Sequence, residues 1–276
     1  MSVAPLTSII IPTYNRAAFL REAIASVLAQ SVRDFELLIV DDGSTDDTAK
    51  MCAAFGGQIH YISQAHRGVS AARNHGIRLA RGRLITFLDS DDLWTPHKLA
   101  QQLAWMQQHS GMLLCYTNEI WIRHGRRVNQ KLIHRKYGGW IYPYCLPRCI
   151  ISPSSVLMRR ELFEEIGVFD ENLPVCEDYD LWLRVAARVE VGFIDEPLII
   201  KRGGHGDQLS QSEWGIDRYR VAALLKMLAD DRLNGEWRKA TLAMLSQKCQ
   251  ILSQGFAKRS KLAEAAYYEE LRRRHS

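Results

Sequence analysis

Several features that mark other protein classes are missing from this sequence of 276 residues. No apolar run approaches the roughly 20 residues that a membrane-spanning helix requires. The opening segment, MSVAPLTSIIIPTYN, has no basic stretch ahead of a long apolar run, so we expect no signal peptide. The formal net charge of +5 is too small to indicate nucleic-acid binding by itself, and we expect no nucleic-acid partner.

The cysteines also lack a disulfide or metal-binding pattern. No two of them form a CxxC pair, and without a secretory signal they indicate reduced thiols in a cytoplasmic protein. Cys145 and Cys149 would be half of a zinc site, but no matching pair follows them. The six residues are Cys52, Cys115, Cys145, Cys149, Cys176 and Cys249.

What the sequence does contain is an alternation of strands and helices over its first hundred residues. Apolar runs predict strands at residues 8–11, 36–40, 59–62 and 84–88, and helical spacing predicts helices at 19–28 and 69–80. Ser44 or Thr45 is the predicted cap of a further helix after the second strand. Strands that are apolar on both faces and separated by helices indicate a parallel sheet covered on both sides.

Polar motifs follow three of these strands, at the point where each strand ends. They are PTYN at residues 12–15, DDGS at 41–44 and DSDD at 89–92. Ligands of such sheets bind beyond the carboxyl ends of the strands. We therefore expect the three motifs to meet at one edge of the sheet and to form a ligand site there.

The acidic motif has a chemistry of its own. Asp89 and Asp91 form a D-x-D, which in isolation is typical of a solvated turn or a helix cap. Carboxylates this close repel one another, and a hard divalent cation such as Mg²⁺ or Mn²⁺ relieves the repulsion. A cation with open positions would also bind a diphosphate and stabilise its charge as it leaves. We therefore expect a divalent metal as cofactor.

The second half of the chain is less regular. The patterns predict a helix at 98–109, a strand at 112–117, a hairpin turning near Gly125, a strand at 156–158 and helices at 161–166 and 178–188. Strands at 191–194 and 198–200 follow, and everything from about residue 214 onward has a helical pattern. The long loop between the hairpin and residue 155 is aromatic and contains proline, which is typical of functional or mobile connections.

Four segments of the sequence together resemble glycosyltransferase family 2, whose members are inverting enzymes with a GT-A fold. The segments are SIIIPTYNRAAFLREAIASVLAQS, FELLIVDDGSTDDT, GVSAARNHGIRLARGRLITFLDSDDLWTPHKL and CEDYDLWLR. The resemblance extends from about residue 6 to residue 202. It implies an α/β fold with a mostly parallel, Rossmann-like sheet flanked by helices over residues 1–205, divided into a nucleotide-binding half (1–117) and an acceptor-binding half (118–205). Residues 206–276 carry no family signal and are predicted to form a helical extension.

The resemblance implies a nucleotide site at the ends of the strands. Asp42 matches the residue that accepts a hydrogen bond from the base, which suits uracil, thymine or guanine but not cytosine. A UDP-sugar is the expected donor. Arg73 matches a basic residue near the diphosphate, although a helix-surface arginine is an equally good interpretation. The other nucleotide-binding residues that we predict are Pro12, Thr13, Tyr14 and Asn15 against the base, Asp41 beside Asp42, and Asp89 with Ser90 near the ribose.

The resemblance also implies the metal ligand and the catalytic base. Asp91 matches the principal ligand of Mn²⁺ or Mg²⁺, and His205, flanked by glycines, corresponds to a histidine that contacts the metal or diphosphate in related enzymes. A structural or exposed histidine is the alternative. Asp178 matches the general base, with Glu177 binding the acceptor or orienting the base. Without the resemblance, an aspartate at this place would be explained by the helix dipole.

The acceptor is predicted to be the hydroxyl of a sugar or a lipid-linked glycan, lying against residues 119–155. This region carries a basic run that would suit an anionic acceptor at a membrane surface, or would simply be a solvated hairpin. The basic, amphipathic tail suits peripheral membrane contact, packing on its own domain, or a homodimer. We expect a cytoplasmic location, at the inner face of the membrane if such contact forms.

The function predicted from the sequence is an inverting, metal-dependent hexosyltransferase that uses a nucleotide diphosphate sugar in polysaccharide or glycoconjugate biosynthesis. The alternative is a catalytically silent subunit that binds a nucleotide or glycan on the same fold. The presence of both the D-x-D and the pair Glu177 and Asp178 argues against it. A nucleotidyltransferase is disfavoured because PTYNRAAF, after the first strand, contains no glycine.

Overall fold

The computed structural model describes residues 4–206 and 213–275. Within them, nine strands form one sheet. The strands are β1 (Thr7–Thr13), β2 (Phe35–Asp41), β3 (His60–Ser63), β4 (Leu84–Phe87), β5 (Leu93–Trp94), β6 (Leu114–Arg123), β7 (Arg126–Val128), β8 (Val156–Arg159) and β9 (Gly192–Gly203).

Helices cover the sheet and form the C-terminal part of the chain. They are α1 (Ala17–Leu28), α2 (Thr48–Ala53), α3 (Val69–Leu79), α4 (Lys98–Gln108), α5 (Tyr142–Cys145), α6 (Glu161–Ile166), α7 (Glu177–Ala186), α8 (Asp217–Leu228), α9 (Gly235–Ala257) and α10 (Leu262–Arg274). In the described part of the chain, no helix is both long enough and apolar enough to cross a membrane.

The sheet is parallel on one side and mixed on the other. Its strand order is β3-β2-β1-β4-β8-β6-β9-β5, with β7 paired to β6. Strands β3, β2, β1 and β4 are parallel neighbours, so their carboxyl ends lie along one edge. Strand β8 runs antiparallel between β4 and β6, and β6 and β9 are parallel.

Alternate residues of β1 belong to two hydrophobic clusters on opposite faces of the sheet. Ile9 and Ile11 pack in the cluster that contains buried residues of α1, α2 and α4. Ile10 belongs to the other cluster, with residues of α3, α7 and the C-terminal helices. Because both faces of β1 are buried, the strand is apolar without alternation, as the sequence predicted.

The amino ends of the central strands are joined by a buried hydrogen-bond network. The Ser8 hydroxyl donates to Glu36 Oε1 at 2.6 Å and accepts the backbone N–H of Gly82 at 2.8 Å. Glu36 also accepts from the backbone N–H and the side chain of Arg81 at 2.6 and 2.7 Å. Gly82 lies so close to β1 that a Cβ added there would be 2.6 Å from the backbone nitrogen of Ser8.

The structure corrects four details of the predicted elements. Strand β1 continues through Pro12, because its pairing with β4 ends at Ile10 and the proline needs no donor there. The predicted strands 191–194 and 198–200 are one strand, β9, with an irregular register opposite Asn118. Strand β5, with two residues, is too short to give a periodic signal. Neither Ser44 nor Thr45 caps α2, which begins after Asp47.

The C-terminal helices pack on the second half of the sheet domain. Buried residues of α8 and α9, including Leu224 and Leu245, belong to the same hydrophobic cluster as Ile10. The Tyr142 hydroxyl of α5 and the Thr241 hydroxyl of α9 are hydrogen-bonded at 2.8 Å. Residues 207–212 and 276 of the predicted extension lie outside the described residues.

Candidate active site

Three cavities with shared lining residues lie next to one another, two of them at the carboxyl ends of β1, β2 and β4. The nucleotide cavity, of about 710 Å³, is lined by residues 12–16, Asp42 and residues 66–70, among others. The central cavity, of about 290 Å³, lies against residues 89–92 and residues 175–179. The outer cavity, of about 220 Å³, adjoins β6 and the loop after β7. All three predicted motifs, and the region of the predicted catalytic base Asp178, therefore contribute residues to these cavities.

The nucleotide cavity has an aromatic wall. Tyr14 is 42% exposed, and its ring stacks on His66 with centroids 4.2 Å apart and planes inclined by 24°. Asn15 has a positive φ of 51°, and its side-chain oxygen accepts the backbone N–H of Thr45 at 2.7 Å. This contact ties the end of β1 to the turn after β2. An aromatic face left accessible at a strand end can stack on a nucleotide base.

Asp42 is buried at the floor of this cavity and accepts hydrogen bonds from its own chain. Oδ2 accepts the backbone N–H of Gly68 at 2.7 Å, and Oδ1 accepts that of Arg67 at 3.0 Å. His66 Nδ1 lies 2.8 Å from Oδ2, and the His66 side chain is 57% exposed. The Gln64 side chain also donates to Oδ1 at 2.7 Å. A base that bonds to Asp42 would therefore replace His66 or Gln64, since the backbone donors are fixed by the loop.

Asp41 lies beside Asp42 at the end of β2, but outside the three cavities. It is 1% exposed and does not line any of the three cavities. Oδ1 accepts the backbone N–H of Ser44 at 2.9 Å, and Oδ2 accepts the Tyr61 hydroxyl at 2.5 Å. Its carboxylate shapes the turn after β2, and its contact with a nucleotide stays a prediction.

Arg73, on α3, is buried and bridges two acidic segments. Its Nη2 donates to Asp89 at 2.7 Å, and its Nη1 donates to Glu177 at 2.6 Å. The bridge fixes the end of β4 against the first turn of α7. Burial and the charge of Asp178 raise the pKa of Glu177 to about 7, although Arg73 opposes this rise. Arg73 is thus held by carboxylates at the wall of the central cavity, and the interpretation as a helix-surface arginine is wrong.

The remaining carboxylates of the DSDD motif each have cationic or hydrogen-bonding partners. Asp91 Oδ2 lies 2.7 Å from Arg16 Nη1 and 3.0 Å from His205 Nε2. Burial and the charge of Asp89 raise the pKa of Asp91. Asp92 is 1% exposed, and its Oδ2 accepts the Ser154 hydroxyl at 2.7 Å. Each carboxylate of the motif therefore has a partner within the protein, and the motif is not a solvated surface turn.

The predicted metal ligands Asp91 and His205 lie together, as the resemblance implied. The imidazole contacts the carboxylate directly, and both side chains are largely buried. Among residues 4–206 and 213–275, no group of three or more histidine, cysteine or acidic side chains has the geometry of a metal site. A pair of ligands nevertheless suits Mg²⁺ or Mn²⁺, which commonly binds through one or two protein groups together with substrate phosphates and water.

Asp178 lies in the wall shared by the central and outer cavities. Its Oδ1 accepts the backbone N–H of Tyr179 at 2.7 Å, and its Oδ2 accepts the Cys149 thiol at 3.2 Å. Burial raises the pKa of the thiol and the charge of Asp178 raises it further, so Cys149 stays protonated and donates. The preceding Cys176 has a left-handed backbone with φ of 64°, which is uncommon for a residue other than glycine.

The outer cavity contains a buried ion pair. Glu119 Oε2 lies 3.3 Å from Lys136 Nζ, and Glu119 Oε1 accepts from the Trp121 indole at 2.7 Å. Although burial raises it, the pKa of Glu119 stays below its usual range because of the charges of Lys136 and Lys201. With Arg123, Lys201 and Arg202 also in the wall, cations outnumber the carboxylates of Glu119 and Asp178.

Comparison with known proteins identifies the family. A sequence model described as Glycosyl transferase family 2 matches residues 8–167, more than half of the chain. The chain belongs to glycosyltransferase family 2. The Escherichia coli protein named UDP-Glc:alpha-D-GlcNAc-diphosphoundecaprenol beta-1,3-glucosyltransferase WfgD is 32% identical to this family 2 chain over 217 residues, which cover 78% of the chain and 81% of WfgD.

Other family 2 relatives are longer than this chain. An uncharacterized glycosyltransferase of Rickettsia bellii is 34% identical over 217 residues, covering 75% of the chain but 31% of that protein. For the corresponding protein of Rickettsia felis, which is 33% identical, the covered share is 35%. The chain thus spans about a third of the length of these two relatives.

Solved structures confirm the predicted fold class. Residues 1–349 of Staphylococcus aureus TarS, in complex with UDP-GlcNAc, superpose with a TM-score of 0.66 at 19% identity, covering 97% of this chain and 91% of that one. The mannosyltransferase PcManGT of Pyrobaculum calidifontis, in complex with GDP-Man and Mn²⁺, gives a TM-score of 0.60 at 17% identity, covering 97% and 86%. At these identities the likeness is one of fold.

Sequence reasoning missed residues that only the folded chain brings to the site. His66 and Arg67 come from QAHRG, after an edge strand, and nothing in their spacing marks them. Cys149 had been considered only as half of a zinc site, but Cys145 is buried elsewhere and Cys149 contacts Asp178. Lys201 lies on a strand that was predicted only to its preceding residue.

Proposed function

We propose that this chain is an inverting glycosyltransferase that moves a sugar from a UDP-sugar to a hydroxyl acceptor. The observation that carries the proposal is the order of the three cavities. A cavity with an aromatic wall adjoins a second cavity that contains Asp91, and Asp178 lies between that second cavity and a third. His205 lines none of the three cavities but contacts Asp91. This order suits a donor whose nucleobase, diphosphate and sugar lie in sequence along the cavities, with the acceptor beyond the sugar.

The donor would bind along the strand ends. Its base would stack on Tyr14 and bond to Asp42, and its ribose would lie near Asp89 and Ser90. Asp91 and His205 would hold Mn²⁺ or Mg²⁺, which supplies positive charge to the departing diphosphate when it is bound. Arg73 keeps Asp89 in position by its ion pair.

Asp178 would act as the general base. It would take the proton of the acceptor hydroxyl while the acceptor oxygen forms a bond to the anomeric carbon. The bond from that carbon to the diphosphate oxygen breaks on the opposite face, with its electron pair leaving on UDP. One displacement of this kind inverts the anomeric configuration. Glu177 would serve this step by holding the first turn of α7 through Arg73.

The choice of substrates rests on the relatives. WfgD carries UDP-Glc and a diphosphoundecaprenol-linked acceptor in its name, and the TarS complex contains UDP-GlcNAc. We therefore place this chain in polysaccharide or glycoconjugate biosynthesis as a hexosyltransferase, with the acceptor in the outer cavity. We place it in the cytoplasm at the inner face of the membrane. The two-part division at residue 205 stays a prediction, and so does a homodimer.

The first test is binding. UDP with Mn²⁺ should raise the melting temperature, and Asp91→Asn should remove the part of the gain that needs Mn²⁺. Asp195→Asn is the matched control, because Asp195 is exposed on β9 and lines no cavity. If UDP, GDP and dTDP all leave the melting curve unchanged with metal present, the proposal is wrong.

The second test separates an enzyme from a silent binding subunit. An enzyme should slowly release UDP from a UDP-sugar, and Asp178→Asn should reduce that release by about a hundredfold, the usual contribution of a general base. UDP binding should survive the substitution. Binding without any release from a panel of nucleotide sugars would favour the silent subunit.

A further inference from the structure

A long part of the chain around the outer cavity has no acidic residue. Residues 120–160 contain no aspartate or glutamate, whereas 31 of the 276 residues of the whole chain are acidic. The same stretch carries nine basic residues, which are Arg123, Arg126, Arg127, Lys131, Arg135, Lys136, Arg148, Arg159 and Arg160. The segment itself therefore contains no carboxylate to balance its positive charge, and Glu119, which pairs with Lys136, lies just outside it.

Part of this stretch forms a largely exposed surface, which we name the basic tip and define as residues 123–135. Leu132 is 90% exposed and Ile133 is 55% exposed, in a 3₁₀ turn. Four cations of the tip are exposed beside them, namely Arg126, Arg127, Lys131 and Arg135. An exposed leucine and isoleucine among cations are unfavourable in water and are typical of a surface that contacts something anionic and apolar.

The basic tip is fixed to the rest of the fold. Arg123 and Arg126 are opposite one another in the antiparallel backbone pairing of β6 and β7. The Gln130 side chain donates to the backbone oxygen of Glu119 at 2.8 Å, and the ring of His134 lies 4.8 Å from that of Trp121. The hairpin and the 3₁₀ turn therefore present one surface.

This surface adjoins the outer cavity. Arg123 and His134, which belong to the tip, line the cavity together with Lys136, and Asp178 lines its inner wall. A molecule that lies at the tip can thus reach the proposed base through a cavity in which cations predominate.

We propose that the basic tip binds the surface of an anionic lipid bilayer, with Leu132 and Ile133 among the headgroups, and thereby presents the outer cavity to a lipid-linked acceptor phosphate. Anionic headgroups attract the exposed arginines, and apolar side chains enter the interface beside them. A second copy of the chain is a poor occupant, since a symmetric contact would bring the same cations together. Only the part about the acceptor rests on the proposed function.

The C-terminal helix α10 is a weaker candidate for the same role. It also exposes apolar residues, with Leu262 at 70% and Tyr267 at 59%. Its three terminal arginines, however, lie within 4 Å of Glu269 or Glu270. Acidic neighbours reduce the attraction of this helix to an anionic surface. Helix α10 therefore offers a matched control.

The experiment is co-sedimentation of the full chain with lipid vesicles. Vesicles that contain phosphatidylglycerol should bind the chain, and vesicles of phosphatidylcholine alone should not. Arg126→Ser with Arg127→Ser should weaken binding about 25-fold, because each of the two cations contributes about fivefold near an anionic surface. Leu132→Ser with Ile133→Ser should weaken it about tenfold. The control, Leu262→Ser with Tyr267→Ser, should bind as the unchanged chain does.

The outcomes separate this inference from the proposed function. The substituted residues line no cavity, so the tip variants should keep the melting-temperature gain with UDP and Mn²⁺, which also shows that they fold. Vesicle binding without any nucleotide binding would support the tip and contradict the proposed function. The inference is overturned if phosphatidylglycerol vesicles do not retain the chain, if the tip variants bind equally well, or if only the α10 control loses binding.

Discussion

At the scale of single residues, the contact between Cys149 and Asp178 bears most directly on catalysis. The thiol lies within hydrogen-bonding distance of one carboxylate oxygen and also of the backbone oxygen of Ile151. The backbone N–H of Tyr179 donates to the other carboxylate oxygen, so both oxygens of Asp178 have a neighbour that orients them. Asp178 could be predicted because its motif is local in the sequence. Cys149 could not, since it lies 29 positions away and is brought near by the packing of α5 and α7.

Replacing Cys149 should change turnover through the orientation of Asp178. Cys149→Ala removes one donor to the carboxylate, and we expect turnover to fall about fivefold, the value of one modest hydrogen bond. Cys149→Ser keeps a donor and should restore most of the rate. Steady-state kinetics should show the change in kcat, with the KM for the donor unaffected. An alanine variant as fast as the unchanged enzyme would show that the thiol does not position the base.

Glu177 should give stability a distinct pH dependence. Its pKa is raised from 4.5 to about 7, mainly by burial, so the folded protein keeps a proton that the unfolded chain has lost. The stability from this group is complete below about pH 4.5 and disappears as the pH rises through about 7. Glu177→Gln lacks this effect. The melting temperature of the unchanged protein, relative to the variant, should therefore fall by a few degrees between about pH 5 and about pH 8. A difference that is constant with pH, or that grows, would contradict this assignment.

At the scale of elements, local patterns predicted what is regular. Strands β1, β2 and β4 and helices α1, α3 and α4 were predicted within about two residues, because burial gives each strand a continuous apolar run and each helix a periodic apolar face. The errors lie where tertiary contacts decide. Pro12 stays in β1 because the neighbouring strand has ended, and β9 continues past Pro197 because the ladder with β6 tolerates an irregularity there.

The loop after α3 packs so closely against β1 that one added methyl group should lower the stability of the protein. Gly82→Ala would place its Cβ 2.6 Å from the Ser8 nitrogen, a backbone atom that cannot turn aside. We expect a loss of about 2 kcal/mol, the usual cost of overpacking, and a melting temperature lower by about 5 °C. Gly111→Ala is the control, since nothing lies within 4 Å of the added atom. Equal melting temperatures for the two variants would refute the close approach.

At the scale of the whole molecule, the sequence predicted which segments lie together, but it did not predict the cavities that they enclose. That the motifs at 12–15 and 89–92 would share an edge follows from the parallel sheet. The division of that edge into three cavities depends on side chains from β6, β9 and α7, whose distances no periodicity encodes. The resemblance supplied roles for Asp91 and Asp178, and the structure places both at the central cavity.

The C-terminal helices should be needed for folding of the sheet domain. Leu224, Leu245 and Cys249 belong to the same hydrophobic cluster as residues of α5 and α7. A chain that ends at residue 205 would expose that cluster, and we expect it to lose its cooperative thermal transition and to aggregate. Circular dichroism and size-exclusion chromatography would test this. A shortened chain that stays monomeric and melts like the full one would show that the extension is an independent unit.

The hydrogen-bond network of Ser8, Glu36 and Gly82 lies at the end of the strands opposite the cavities. The network that joins the strands therefore lies at one end of them, and the cavities lie at the other end. On the proposed function, substitutions near Tyr14 or in the loop after β7 would change donor or acceptor preference while the hydrogen-bond network stays intact. The fold can therefore diversify its substrates at little cost in stability, one loop at a time.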